Sequence, residues 1–391
     1  MRNVRLLLTL AALRQALFPI PVITLFWRRQ LGMSLADVML LQAIFALAAT
    51  VCEVPSGYLA DRIGHRRSLL VASWLSLAGW LAYALAGSFP GVVAAEVALG
   101  MGIAFASGAD SALLWVSLAG AGRTNEYARW EGRLQAAAQT SESVSAACGG
   151  YLYALAPRLP MWLQVPMAAL GLGAVLAMDG TRARSSDPAG GHRHLQRLVR
   201  LARLTLHEHA RLRTTIALSV ALGLSSFVLV WLIQPYMEER HIPEPWFGPV
   251  WAIANLWVAL MALASHRLAT AVGTNATLLG CCLLVAAGYG MLAATPAWYG
   301  VGFYLLIMTV RGLQIPLLRQ RLQADAPAED RATVLSLNAM AFRLAFVVGG
   351  PLIGILLARW TLTTVLAALG ATFAALALAA LAAFRRAHAR V

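Results

Sequence analysis

Twelve stretches of this 391-residue chain, each some twenty residues long, are mostly apolar. A helix needs about 20 such residues to cross the hydrocarbon core of a bilayer, so this feature decides the fold class before any motif is read. In hydrocarbon every backbone N–H and C=O must find its partner within the protein, which leaves helices as the spanning element for runs of this length. The chain is 60% hydrophobic and only 12% charged, about half the charged share of soluble proteins. The expectation is an all-α membrane protein with twelve transmembrane helices.

The expected spans are 5–27, 36–57, 68–87, 91–119, 132–155 and 159–178, then 213–237, 246–265, 274–294, 298–320, 332–357 and 361–384. They fall into two sets of six. Residues 1–178 form an N-terminal six-helix bundle, 179–212 a cytoplasmic basic linker, and 213–391 a C-terminal six-helix bundle. The linker begins rich in Gly, Ser, Asp and Pro. It continues with Leu195, Leu198, Val199, Ala202 and Leu206 at helical spacing among arginines. That pattern fits either a basic amphipathic helix on an anionic membrane surface or a solvated connection.

The formal net charge is +14, carried by arginine alone. A nucleic-acid binder shares such a charge but not the apolar runs, and here the arginines lie mostly between the runs. Arg2, Arg5, Arg62, Arg66, Arg67, Arg123, Arg129, the linker, Arg385, Arg386 and Arg390 all fall on one side if both termini are cytoplasmic. Arg28 and Arg29 are exceptions. The expected location is the inner (cytoplasmic) membrane of the cell, as a multi-pass monomer whose partners are lipids, protons and a small-molecule substrate, with no nucleic acid. The retained N-terminus reads as a first span, since no small-residue cleavage site follows it. Cys52, Cys148, Cys281 and Cys282 lie inside apolar runs and read as small packing residues. No metal site or cofactor is expected.

The connection "GYLADRIGHRR", residues 57–67, crowds an acid, basic side chains and two glycines between spans 2 and 3. A weaker copy stands at the same place in the second half. "SGYLADRIGHRRSLL" from Ser56 aligns with "SHRLATAVGTNATLL" from Ser265, matching Leu59 with Leu268, Ala60 with Ala269 and Gly64 with Gly273. A duplicated half is the simplest source of such a match. Thr270, Ala271 and Asn275 replace Asp61, Arg62 and Arg66, so the turn does not require those charges.

"GYLADRIGHRR" resembles the Gly-x-Leu-Ala-Asp-Arg-x-Gly-Arg-Arg signature of the major facilitator superfamily, with His65 at a usually basic position. The resemblance implies two pseudo-symmetric six-helix bundles and transport by alternating access. It implies that Gly57 permits close packing of span 2 on span 11, that Asp61 meets the helix dipole of span 11, and that Arg62, Arg66 and Arg67 complete a cytoplasmic charge network, with Gly64 in the turn. Two further family patterns match less well. Glu96 in "EVALGMGIA" replaces the expected arginine, and "SVSAACGG" keeps Gly149 and Gly150 without the Gly-Pro of the antiporter signature.

An ionisable residue within a span costs about 2.5–3.5 kcal/mol on insertion scales, so each needs a reason. The deeper ones are Arg14, Glu53, Glu96, Asp110, Glu142, Arg311 and Arg343. Asp110 and Glu142 read as proton carriers or contacts for a cationic group, and Arg311 and Arg343 as partners for those acids or for an anionic group. Arg14 and Glu96 are further proton-coupling or substrate-binding candidates, and Glu53 reads as gating or structural. Interhelical ion pairs that fix packing are the competing reading for all of them. Gln139, Gln234, Gln314, Asn338, Trp115 and Trp231 are candidate cavity-lining residues. With no Gly-x-x-x-x-Gly-Lys phosphate loop and all histidines in expected loops or tails, a secondary active transporter is expected rather than an enzyme. Proton-coupled efflux of small amphipathic compounds is the leading expectation. Transport of an anionic metabolite or siderophore through membrane arginines is the alternative.

Overall fold

A computed structural model of the chain describes residues 1–180, 209–327 and 330–389, apart from the side chains of Val54, Asp61, Ala128 and Ala332. The expected amphipathic helix of the linker lies outside the described residues. Helices dominate the described residues, with no strand among them. In chain order they are α1 (Arg2–Arg14), α2 (Ile23–Leu31), α3 (Leu35–Ile63), α4 (His65–Leu85), α5 (Phe89–Ala106), α6 (Ala109–Ala119), α7 (Tyr127–Leu155) and α8 (Leu159–Leu176). The second half holds α9 (Ala210–Glu239), α10 (Phe247–Val272), α11 (Thr274–Ala294), α12 (Tyr304–Asp325), α13 (Arg331–Arg359) and α14 (Leu362–Ala389).

Ten helical segments among the described residues are long and apolar enough to span a membrane. The expected first and fifth spans fall short for different reasons. The first is broken into α1 and α2, of 13 and 9 residues. The fifth, α7, carries Arg129, Glu131, Arg133 and Glu142 along its polar half.

The break in the first span follows from its prolines. Pro19 and Pro21 lack the N–H groups that a continuous helix would offer the carbonyls of Gln15 and Leu17. Turn bonds take over instead: Leu17 N–H donates to Gln15 O at 2.8 Å, and Val22 N–H to Pro19 O at 2.9 Å. The fourth span also breaks, between α5 and α6, where Gly108 adopts a left-handed φ of 75°. Pro55, Pro166, Pro235, Pro316 and Pro351 lie within helices that stay continuous. Of these prolines, only the Pro19–Pro21 pair interrupts its helix.

The chain divides into two compact units. Unit 1 comprises residues 1–33, 41–195 and 244–252; unit 2 comprises 34–40, 196–243 and 253–391. Within unit 1, Leu7, Leu10, Leu69, Leu113, Leu114, Leu118 and Val175 form a buried core. Lipid tails are as apolar as leucine, so close backbone packing and polar bonds must add to this. Glycines supply the close packing. A Cβ at Gly100 would stand 2.7 Å from Phe45 O on α3, and one at Gly79 would strike the Leu99 side chain on α5 at 2.7 Å. Segment 244–252 joins unit 1 in the same way: a Cβ at Gly150 would collide with the carbonyls of Glu244 and Pro245, and one at Gly248 with those of Ala146 and Ala147. Arg29, an exception to the charge rule, pairs with Glu244.

Unit 2 repeats the device. A Cβ at Gly288 would stand 2.7 Å from the Ile307 side chain, and one at Gly312 2.7 Å from Val258 O. His388 Nε2 lies 3.0 Å from Asp325 Oδ2, joining the ends of α14 and α12. Cys281 and Cys282 are buried as expected, whereas Cys148 is exposed, and all four cysteines are free.

Candidate functional site

Residues 57–63 of the GYLADRIGHRR motif are not a loop. They form the last turns of α3, because only Gly64 in the stretch breaks a helix. Gly64 takes φ 89° and ψ 150°, a backbone region that is nearly glycine's alone. Gly57 meets no crowding, since a Cβ there would find no atom within 4 Å. The Asp61 side chain lies outside the described residues. Arg62 Nη1 donates to Tyr58 Oη at 3.3 Å, and its guanidinium sits over the Tyr58 ring. Arg66 donates from Nε to Val175 O at 3.3 Å and from Nη2 to Leu176 O at 2.9 Å, capping the carbonyl end of α8. Arg67 is exposed.

The two helix breaks of unit 1 face each other with opposite charges. Arg14 is in the last turn of α1, where a cation meets the negative end of the helix dipole. Asp110 is in the first turn of α6, where an anion meets the positive end. Each placement contributes about 0.3–1 kcal/mol. Arg14 Nη1 and Asp110 Oδ2 are 3.9 Å apart, and both side chains are about one-third exposed, at 31% and 38%. A hydrated pair of that kind contributes about 0–1 kcal/mol, too little to account for two charges inside a membrane bundle.

The pair lines a cavity of about 280 Å³ with Gln15, Glu131, Gln135 and Gln139. Ser111 Oγ donates to Glu131 Oε1 at 2.9 Å, linking α6 to α7. Gln15 Nε2 donates to Glu142 Oε2 at 3.2 Å, linking the first break to α7. The preceding loop is set by Arg123, which grips Glu126 with two bonds of 2.7 and 2.8 Å and holds that carboxyl below the usual carboxylate range. Thus Arg14, Asp110 and Gln139 come together as cavity-lining residues, with Glu142 one hydrogen bond away. Glu131 was not predicted from the sequence, since the fifth span was expected to start at residue 132. The helix starts at Tyr127 instead, which carries Glu131 into the bundle.

Glu96 lies elsewhere. It is buried at 4% exposure and accepts hydrogen bonds from Gln42 Nε2, at 3.0 Å, and from Tyr83 Oη. Trp115 is half-exposed and packs edge-on against Tyr127. Trp231 is buried against Phe227, and Gln234 is buried on the same helix.

Unit 2 has a smaller cavity, of about 230 Å³, between α9, α12 and α13. Gln314 and Asn338 line it, together with Arg319, which the sequence reading did not single out. The linings of these two cavities include neither Arg311, on α12, nor Arg343, on α13. Among the described residues no cluster of three His, Cys, Asp or Glu is placed to hold a metal ion.

The sequence profile described as Major Facilitator Superfamily matches residues 6–349. No curated protein matches the chain in sequence. Solved structures do share its fold. A variant of the nucleoside transporter NupG matches with a TM-score of 0.81 at 12% identity, covering 98% of this chain and 99% of that one. A POT family transporter in complex with 5-aminolevulinic acid gives 0.77 at 13%, covering 99% and 96%. A D-xylose-proton symporter gives 0.73 at 14%, covering 98% and 97%.

Proposed function

The chain belongs to the major facilitator superfamily, and on that premise we propose that this secondary active transporter couples the movement of a small polar or zwitterionic compound to protons at the Arg14–Asp110 pair. The observation that carries the reading is the meeting of those two charges at the ends of broken helices in a polar cavity. Protonation of Asp110 removes the partner of Arg14 and leaves the guanidinium free for an anionic group of the substrate. Deprotonation restores the pair and releases that group. Glu131 and Glu142 serve as further proton acceptors, hydrogen-bonded to Ser111 and Gln15 next in sequence to the pair. Linkage of this kind is reciprocal: the proton raises substrate affinity by the factor by which substrate raises proton affinity.

The protein works by alternating access as a monomer in the inner membrane, with both termini cytoplasmic. Asp61, Arg62, Arg66 and Arg67 serve the exchange between its states. Its membership of a transporter family makes it a transporter and not an enzyme.

The test is solute flux in proteoliposomes with an imposed pH gradient, over a panel of dipeptides, nucleosides, sugars and lipophilic cations. Asp110→Asn is expected to lower gradient-driven flux by about tenfold or more, the scale of a coupling free energy of about 1–3 kcal/mol, while exchange without a gradient persists. Flux in Asp110→Asn that still follows the gradient overturns the assignment. Export of amphipathic compounds by antiport is the second reading. The aromatic cluster of Phe227, Trp231, Phe342 and Phe346 in unit 2 favours it. Expulsion of lipophilic cations against the proton gradient, with no flux of the polar panel, selects that reading.

A further inference from the structure

The cavity of unit 2 has a chemistry unlike that of unit 1. No carboxylate lines it. Its charge is the guanidinium of Arg319, on the second half of α12, and no ion pair of Arg319 is found among the described residues. Gln314 is 4% exposed, and its carboxamide oxygen is buried without a hydrogen-bond donor. The carboxamide oxygen of Asn338, on α13, is likewise buried without one. Buried polar atoms are nearly always satisfied, so two such acceptors on residues that line one cavity, one from α12 and one from α13, point to a donor that arrives from outside. Ser219 adds a hydroxyl from α9, and Ile315, Leu322 and Leu335 supply an apolar wall.

We propose that this cavity binds a small organic anion that carries an N–H or O–H donor next to its charge, on an apolar body. Arg319 takes the oxyanion through its planar fork of donors. Gln314 and Asn338 accept from the ligand's donor, and the leucines and isoleucine hold the apolar part. A cation is disfavoured by the guanidinium. An ester or a neutral isostere loses the charge-assisted bonds. Ordered water is the competing occupant of the amide oxygens, and it makes no distinction among anions. The inference rests on the transporter reading for its physiological role, but not for the binding itself.

The experiment is thermal unfolding of the full-length purified protein in detergent with three probes: hippurate, hippurate methyl ester and benzoate. Hippurate has the carboxylate, the N–H and the apolar ring; the ester lacks the charge, and benzoate lacks the N–H. Hippurate at millimolar concentration is expected to raise the melting temperature, the ester to leave it unchanged, and benzoate to act more weakly. Arg319→Gln is expected to weaken hippurate by about tenfold or more, with the ligand-free melting temperature unchanged because the side chain is exposed. Gln314→Leu brings hippurate down to the level of benzoate. Arg319→Lys, which keeps the charge and loses the fork, gives an intermediate response and serves if the glutamine variant does not accumulate. Arg14→Gln keeps the full response. No stabilisation by hippurate, equal stabilisation by hippurate and its ester, or loss of the response in Arg14→Gln rather than Arg319→Gln each overturns the proposal. Proton-driven flux with no hippurate response removes this site and leaves the coupling reading standing. A hippurate response in a protein without proton-driven flux does the opposite.

Discussion

Gly64 and Gly273 hold nearly the same backbone, φ/ψ 89°/150° and 90°/146°, at the starts of α4 and α11, the third spanning segments of their halves. The next turn also bonds alike: Ser68 N–H donates to Gly64 O at 3.1 Å and Thr277 N–H to Gly273 O at 3.0 Å. Two residues after each glycine the chemistry inverts. Arg66 donates to the last carbonyls of α8. Its counterpart Asn275 instead accepts, through its backbone carbonyl, a 2.9 Å bond from Arg385 on α14. In both units an arginine makes the tie, α4 to α8 and α11 to α14, but it has changed sides. The tie was kept and its residue was not. A sequence alignment that compares position with position therefore scores as a loss what the structure retains as a contact.

The largest test of that parallel is at the glycines. Gly64→Ala and Gly273→Ala are each expected to cost about 1–3 kcal/mol, because a Cβ strains that backbone region whatever the surroundings. Equal drops in melting temperature keep the two turns equivalent, and a drop in one alone breaks the equivalence. Arg66→Ala removes two bonds to a helix end and should cost about 1–2 kcal/mol, while Arg385→Ala removes one and should cost about half as much. Equal costs would show that the number of bonds does not set the strength of the tie. Asn275→Ala should change stability by less than about 0.5 kcal/mol, since the bond uses the backbone. A larger loss in melting would give the side chain a role that the comparison denies it. Asp61→Asn is the smallest case for stability, with insertion and melting unchanged. Its transport is nevertheless expected to fall as the protein shifts toward the inward-facing state. Full transport with unaltered accessibility from both sides would reduce the charged motif to a topogenic segment.

The helical architecture was legible because hydropathy over twenty residues reports directly on what a bilayer permits. The repeat was legible at Gly64 and Gly273 because a special backbone conformation selects one residue type. The break in the first span falls at Pro19 and Pro21, where a missing N–H acts locally, although hydropathy read residues 5–27 as one span. The break at Gly108 was not announced, because a lone glycine in an apolar run is equally compatible with tight helix packing. Gly57 and Gly100 illustrate the same ambiguity from the other side: the motif glycine faces open space, while Gly100 lies against the backbone of α3. Of the predicted site residues, Arg14 and Asp110 were flagged by the cost of burying charge. Their pairing depended on where two helices end, which composition does not encode. Glu131 and Arg319 stood near expected span boundaries, where charge looks ordinary.

The join between Asn3 and residue 179 has a consequence for reading mutational data. Asn3 Nδ2 donates to the carbonyl of Asp179 at 3.1 Å, and the Asp179 N–H donates back to Asn3 Oδ1 at 2.9 Å. Both bonds engage the main chain of residue 179, and the Arg2–Asp179 ion pair beside them is mostly exposed and weak. The clamp is therefore written at one address only. A saturation scan would record intolerance at residue 3 and near-indifference at residue 179, although the two are halves of a single fastening where the first bundle helix meets the entrance to the linker.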